Sequence, residues 1–362
     1  MTRRAVPVIV LAGFLGSGKT TVLNHLLRSG GGTRIGAVVN DFGSIEIDAM
    51  VIAGQVDSTV SLGNGCLCCA VDGSELDVYL ERLTRPSSRI DVIVIEASGL
   101  AEPQELVRMI LASENPDVMY GGLVEVVDAA EFEAVRERHP EIDRHLGISD
   151  LVVLNKTDRA GEDRLERITG HVTACAPGTP VVRAEYGRVD PELLFEPRPS
   201  TERVGQLSFE DLFRDDGGTG EHGHGHGDGD GDGHEHGDGH AAHLHSAYDS
   251  RAFTSAEPMS PRRLMDFFDT RPDGLYRVKG YIDFGTADPR NKYAVHAVGR
   301  FLRFSPEPWA EGEERGTQLV LIGSGIDAAT LAKALDACKD APDAVADEHS
   351  MWGVLRYVRE PE

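Results

Sequence analysis

Basic residues are scarce in this sequence. Its 362 residues carry 36 Lys and Arg against 60 Asp and Glu, a formal net charge of −24. Neutralising a phosphate backbone takes clusters of Lys and Arg. The sequence offers none, which argues against a nucleic-acid partner and equally against an anionic membrane surface. Long apolar runs are missing too, with no stretch near the roughly 20 residues that span a bilayer. Cysteine is sparse and odd in number, at five in the whole chain. Disulfide scaffolds are short, secreted and cysteine-dense, so five cysteines in a long chain fit a reducing cytoplasm. The opening stretch MTRRAVPVIVLAGFLGSGKTT has a basic start and an apolar run. That run is short and leads into Gly, Ser and Lys with no small-residue cleavage pattern, so it reads as a first β-strand rather than a targeting segment. The chain is expected to be cytoplasmic.

At this length two domains and a sizeable core are expected. VPVIVLAG, RIGAVVN, DVIVIEAS, GGLVEVVDA, DLVVLNKTD and TPVVRAE are nearly continuous in apolar residues, as parallel strands buried on both faces are. Helical patterns such as TTVLNHLLRSG and ELDVYLERLTR lie between them. The alternation predicts a doubly wound, mainly parallel α/β domain over residues 1–195. Residues 196–248 are dominated by Gly, His and Asp and cannot offset ordering entropy by burial, so a disordered linker is expected. A smaller α+β domain should fill 249–362. It would hold a helix in SPRRLMDFFDT capped by Ser260, strands in LYRVKGYIDFG, YAVHAVGRFLRF and TQLVLIGS, a helix in DAATLAKALDACKD and a last strand in MWGVLRYV.

GFLGSGKT, residues 13–20, fits G-x-x-x-x-G-K-[ST] between a strand and a helix, the context a P-loop requires. Gly13, Gly16, Ser17, Gly18, Lys19, Thr20 and Thr21 form the candidate phosphate cradle. Its backbone N–H groups curl round the phosphates at a helix N-terminus. Lys19 would reach the β- and γ-phosphates, and Thr20 would ligate Mg²⁺. Downstream, a buried strand runs into Asn155-Lys156-Thr157-Asp158. Asp158 can accept from N1–H and the 2-amino group of guanine, which adenine lacks. Asn155 can bond the N7 edge and Lys156 can lie over the ring, so GTP is favoured over ATP. Between these motifs Glu96 ends a strand, the usual place for a carboxylate that helps hold Mg²⁺, and Gly99 would let backbone approach the γ-phosphate. Lys19 and Glu96 are the candidate catalytic residues.

Three of the five cysteines, Cys66, Cys68 and Cys69, fall in GNGCLCCAVD, residues 63–72. On the residues alone a disulfide, a redox switch and a soft-metal site are all open. The cytoplasmic context disfavours the first, and the loop lies in the interval whose order depends on the γ-phosphate in P-loop GTPases. Cys175 and Cys338 read as small apolar packing residues. From His222 to His245 imidazoles alternate with Gly and Asp, and His222, His224, His226, His234, His236 and His240 are candidates for low-affinity metal collection.

GFLGSGKTT, NDFGS, GCLCC, EASGLAEP and NKTD occur in the order seen in CobW-type GTPases, and the chain resembles that family. The resemblance covers the whole N-terminal domain and extends to the His-rich linker and the RVKGY and LVLIGSGID stretches. It implies slow GTP hydrolysis coupled to binding and release of a transition metal, most often Zn²⁺, with Co²⁺ or Fe²⁺ as alternatives. Cys66, Cys68 and Cys69 inherit the ligand role, and the metal would pass to a client metalloprotein. Family members usually read N-E-F-G-E where this chain has Asn40, Asp41, Phe42, Gly43 and Ser44. Asp41 is thus the candidate oxygen ligand, with the fourth position undetermined. Metal storage or sensing with nucleotide-gated binding, and cobalt handling for cobalamin synthesis, remain alternative readings. A homodimer is left open.

Overall fold

The computed structural model describes residues 5–39, 73–86, 88–99, 102–195, 248–340 and 349–358. Asp41, Cys66, Cys68, Cys69 and the histidines from His222 to His240 lie outside the described residues, as do all but one of residues 196–248.

The six apolar runs become β1 (Val6–Ala12), β2 (Ile35–Val39), β3 (Val92–Glu96), β4 (Val118–Asp128), β5 (Leu151–Asn155) and β6 (Val181–Arg183). They form one parallel sheet in the order β2-β3-β1-β4-β5-β6. Parallel strands need crossovers. The helices of this region are α1 (Lys19–Ser29), α2 (Gly73–Thr84), α3 (Pro103–Ala112), α4 (Phe132–Arg138), α5 (Ile142–Ile148), α6 (Glu162–Cys175) and α7 (Pro191–Leu194). Every residue of β3 and β5 is buried, which explains why those stretches carry no polar alternation. The chain order reverses beside β1, the switch point where doubly wound sheets bind ligands at their carboxyl ends. This is the P-loop NTPase fold.

A separate antiparallel sheet follows, ordered β10-β9-β8-β11-β7. Its strands are β7 (Asp249–Ser255), β8 (Leu275–Ile282), β9 (Asn291–Val298), β10 (Phe301–Pro308) and β11 (Thr317–Gly323), accompanied by α8 (Pro261–Asp269), α9 (Ala328–Asp336) and α10 (Trp352–Leu355). Three details differ from the sequence reading. YAVHAVGRFLRF is two strands, β9 and β10, folded at Gly299 (φ +50°). MWGVLRYV is not a strand but holds the short helix α10. Met351 and Val354, three residues apart, are buried there while Trp352 and Leu355 are exposed, a helical spacing. Ser260 stands at the α8 N-cap position, yet its side chain makes no cap bond.

The two sheets meet at β4. Tyr276, Val298 and Ile322 share one buried cluster with Ile9, Leu11 and Val124. Gly122 marks one close approach: it sits at φ +116° after a register shift, and a Cβ there would lie 2.7 Å from Val298 Cγ1. Nearby, His296 Nε2 lies 3.0 Å from the Tyr120 carbonyl, and Leu123 N–H donates to Asp150 at 2.9 Å. No helix among the described residues is long and apolar enough to cross a membrane.

Candidate nucleotide site

The loop between β1 and α1 takes shape from its glycines. Gly13 has φ +144°, and a Cβ there would fall 2.3 Å from the Val126 carbonyl oxygen. Gly18 has φ +102°, and its Cβ would fall 2.4 Å from Asn155 Nδ2. Neither position tolerates a side chain. Gly16 (φ +78°) faces open space. No acidic side chain stands in the first turn of α1. The positive helix end is therefore left for an anion. Ser17 is buried, and Thr20 and Thr21 are exposed at the rim. Lys19 Nζ donates to the Gly13 carbonyl at 2.9 Å and to Phe14 at 3.3 Å, folded over its own loop.

Glu96 closes one side. At the end of β3 its carboxylate accepts from the Thr20 hydroxyl at 2.6 Å, bringing together residues 76 apart in the chain. It does not cap the following helix, whose N-cap is Glu102. Gly99 stands against the P-loop itself, since a Cβ there would meet Leu15 N at 2.8 Å. Its smallness thus serves a backbone approach, made to Leu15.

The candidate base end is built by β5 and the turn after it. Asn155 Nδ2 donates to the Ser17 carbonyl at 2.9 Å, and Asn155 Oδ1 accepts from Gly187 N–H at 3.0 Å. Lys156, in the left-handed region at φ +59°, donates to the Gly16 carbonyl and to Asp128, each at 2.7 Å. Asp158 follows in a 3-10 turn and is exposed. The tetrad therefore does more than the sequence suggests, because two of its side chains fasten the P-loop from beneath.

Sequence reasoning missed several of these residues. Asp128, the partner of Lys156, ends an apolar strand, and that placement was a usable signal. The loop 184–188 frames the tetrad: Thr157 N–H donates to the Ala184 carbonyl at 3.2 Å, and exposed Tyr186 takes φ +53°. Nothing local in the sequence announces it. Glu125 was also missed. It is 2% exposed within β4, and Oε2 has no hydrogen-bond partner among the described residues. Burial pushes its carboxyl up to about 8, partly offset by the charge of Lys19. A lone carboxylate inside GGLVEVVDA was the signal.

A parallel sheet ordered this way, with a glycine loop leading into a helix at its switch point, defines a P-loop NTPase. A model of the CobW/HypB/UreG nucleotide-binding domain matches residues 7–183, and one of the cobalamin synthesis protein cobW C-terminal domain matches 248–339. The zinc chaperone CobW of a Sinorhizobium species is 31% identical over 354 residues, covering 88% of this chain and 92% of its own length. The zinc chaperone CobW of Pseudomonas aeruginosa is 31% identical over 374 residues, covering 92% of each. A zinc-regulated GTPase metalloprotein activator of Schizosaccharomyces pombe is 31% identical over 194 residues, covering 51% of this chain and 47% of its own. The chain belongs to the CobW/HypB/UreG family of P-loop GTPases.

Proposed function

We propose that this chain is a GTP-hydrolysing metallochaperone in which nucleotide state sets how tightly Cys66, Cys68 and Cys69 hold a transition metal, zinc foremost. The metal is cargo for a client metalloprotein. One observation carries the coupling. Val39, the last residue of β2, lies opposite Glu96 in the parallel pairing with β3. β2 therefore ends level with the carboxylate that holds Thr20, one residue before the sequence that carries Asp41 and the cysteines begins. A change at that carboxylate is passed to the root of the metal-binding segment.

Asn155, Lys156 and Asp158 select guanine. Nδ2 of Asn155 carries two donors, one engaged by Ser17 and one left for the base edge. On the phosphate side Lys19 would leave the Gly13 and Phe14 carbonyls for the β- and γ-oxygens. The loop N–H groups of 13–21 would hold the same phosphates in place and in line. The Thr20 hydroxyl and the Glu96 carboxylate form a hard oxygen pair, the donor chemistry that suits Mg²⁺. When bound, Mg²⁺ supplies neutralisation of charge on the β- and γ-oxygens. Slow intrinsic turnover belongs to the same reading. His222, His224, His226, His234, His236 and His240 would raise local metal concentration for the cysteine loop. The same reading assigns 1–195 to the GTPase domain, 196–248 to a linker and 249–362 to the C-terminal domain.

GTP turnover with and without zinc tests the proposal. Zinc should change turnover, and this response should vanish when Cys66, Cys68 and Cys69 are replaced by Ser. Identical rates with and without zinc would refute coupling.

A further inference from the structure

Helix α6 buries Leu165, Ile168 and Val172 against the sheet. His171 and Cys175, four residues apart, share a neighbouring face of the helix and are half-buried. Asp143, in the first turn of α5, meets them there. Its Oδ1 lies 2.8 Å from His171 Nε2, and that same nitrogen lies 3.3 Å from Cys175 Sγ. Among the described residues this is the one group of three His, Cys, Asp or Glu side chains whose ligand atoms all lie within 4.8 Å of one another.

Two readings compete. Arg136 grips Asp143 with both arms, Nε to Oδ1 at 2.8 Å and a terminal nitrogen to Oδ2 at 2.9 Å, so an ion-pair network tying α4, α5 and α6 would account for Asp143 and His171. Cys175 also packs against the neighbouring apolar cluster, and its thiol brings a sulfur to the oxygen and nitrogen already gathered there. A catalytic relay is excluded by geometry, because one imidazole nitrogen faces both neighbours where a relay needs two. Convergence of sulfur, nitrogen and oxygen on one point is instead what a metal requires. Tetrahedral zinc with Zn–S of about 2.3 Å and Zn–N and Zn–O of about 2.0–2.2 Å sets its ligand atoms roughly 3.2–3.6 Å apart. The Oδ1–Nε2 and Nε2–Sγ separations need to open by only a few tenths of an ångström, and Oδ1 and Sγ lie within 4.8 Å of each other. A carboxylate has about four lone-pair sites, so Asp143 can keep both Arg136 contacts while the second lone pair of Oδ1 takes a cation. Arg136 also holds that carboxyl well below its ordinary range, at about 2, so it is ionised at neutral pH.

We propose that Asp143 Oδ1, His171 Nε2 and Cys175 Sγ form a second transition-metal site, on the α5/α6 face, for Zn²⁺ or Co²⁺. Three protein ligands leave the fourth position to water, the open arrangement of an exchangeable site. Metal binding displaces the Cys175 thiol proton to solvent and fixes the His171 proton on Nδ1. Carboxylate and thiolate together balance the divalent charge. The site depends on neither the nucleotide nor the cysteines at 66, 68 and 69.

The test uses the full chain carrying Cys66→Ser, Cys68→Ser and Cys69→Ser, titrated with Co²⁺. Histidine-only binding gives no thiolate-to-cobalt charge transfer, so the near-ultraviolet band reports a sulfur ligand alone. One equivalent of cobalt should develop the band, zinc should abolish it, and Cys338→Ser should leave it intact. In the same background Cys175→Ser should remove the band, and His171→Gln should weaken cobalt affinity by about tenfold or more. Zinc should also slow alkylation of Cys175 where that residue is unmutated, a readout that needs no folded Cys175 variant. Absence of the band, its survival in Cys175→Ser, or an alkylation rate indifferent to zinc would overturn the assignment.

Discussion

Asn155 and Ser17, 138 residues apart, are joined by a 2.9 Å hydrogen bond from the Asn155 amide to the Ser17 carbonyl. The same side chain accepts from Gly187 N–H. Both bonds are buried, so truncation leaves two backbone groups unsatisfied. Each costs about 1–3 kcal/mol. Asn155→Ala should weaken binding of a fluorescent GTP analogue by on the order of ten- to a hundredfold. Unchanged affinity would mean that the P-loop needs no support from β5.

In the proposed site, base choice would rest on Asp158. Asp158→Asn exchanges an acceptor for an amide that both donates and accepts. Guanine's 2-amino group then loses its partner, whereas xanthine offers a carbonyl at that position. The variant should bind GTP at least about tenfold more weakly and gain affinity for xanthosine triphosphate. Competition binding with the two triphosphates reads this directly, and an unaltered preference would remove Asp158 from the site.

Buried Glu125 makes stability depend on pH. Its folded-state value is raised to about 8 by burial, against an unfolded value of about 4.3. Between these values the folded chain holds a proton that the unfolded chain releases, so the contribution is full below about 4.3 and is lost as pH rises through about 8. Glu125→Gln removes this term. Its stability relative to the parent should therefore grow with pH across that window and level off above it. Denaturant unfolding at pH 5, 7 and 9 tests the sign, and a constant difference would contradict it.

Gly122 is one place where the two sheets touch. Gly122→Val combines an unfavourable φ of +116° with a Cβ 2.7 Å from Val298 and 2.9 Å from the Tyr276 hydroxyl. Overpacking of this kind costs about 1–3 kcal/mol. Calorimetry should show a lowered Tm, and an unchanged melting profile would mean that β4 and β8 are not held together in solution.

Much of this was legible in the sequence because its motifs impose their own backbone. A glycine that must adopt φ +102°, or a lysine placed to curl over a loop, has few alternatives, so GFLGSGKT and NKTD announce themselves. What could not be read depends on distant partners. Loop 184–188 matters because Gly187 meets Asn155 and Ala184 meets Thr157. β7 is a polar, largely exposed edge strand whose pairing with β11 supplies the order its composition does not. Cys175 packs as the sequence suggests, but only the fold brings Asp143 of α5 beside it. MWGVLRYV misleads for a different reason, since so short a stretch of mixed residues fits both a strand and one helical turn.

In the proposed mechanism, nucleotide sets metal grip through the link from Glu96 to the sequence that follows Val39. Zinc affinity of the full chain, measured by competition with a chromophoric chelator, should differ by about tenfold or more between a non-hydrolysable GTP analogue and GDP. The difference should disappear when Cys66, Cys68 and Cys69 are replaced by Ser. Equal zinc affinity in the two nucleotide states would contradict the account.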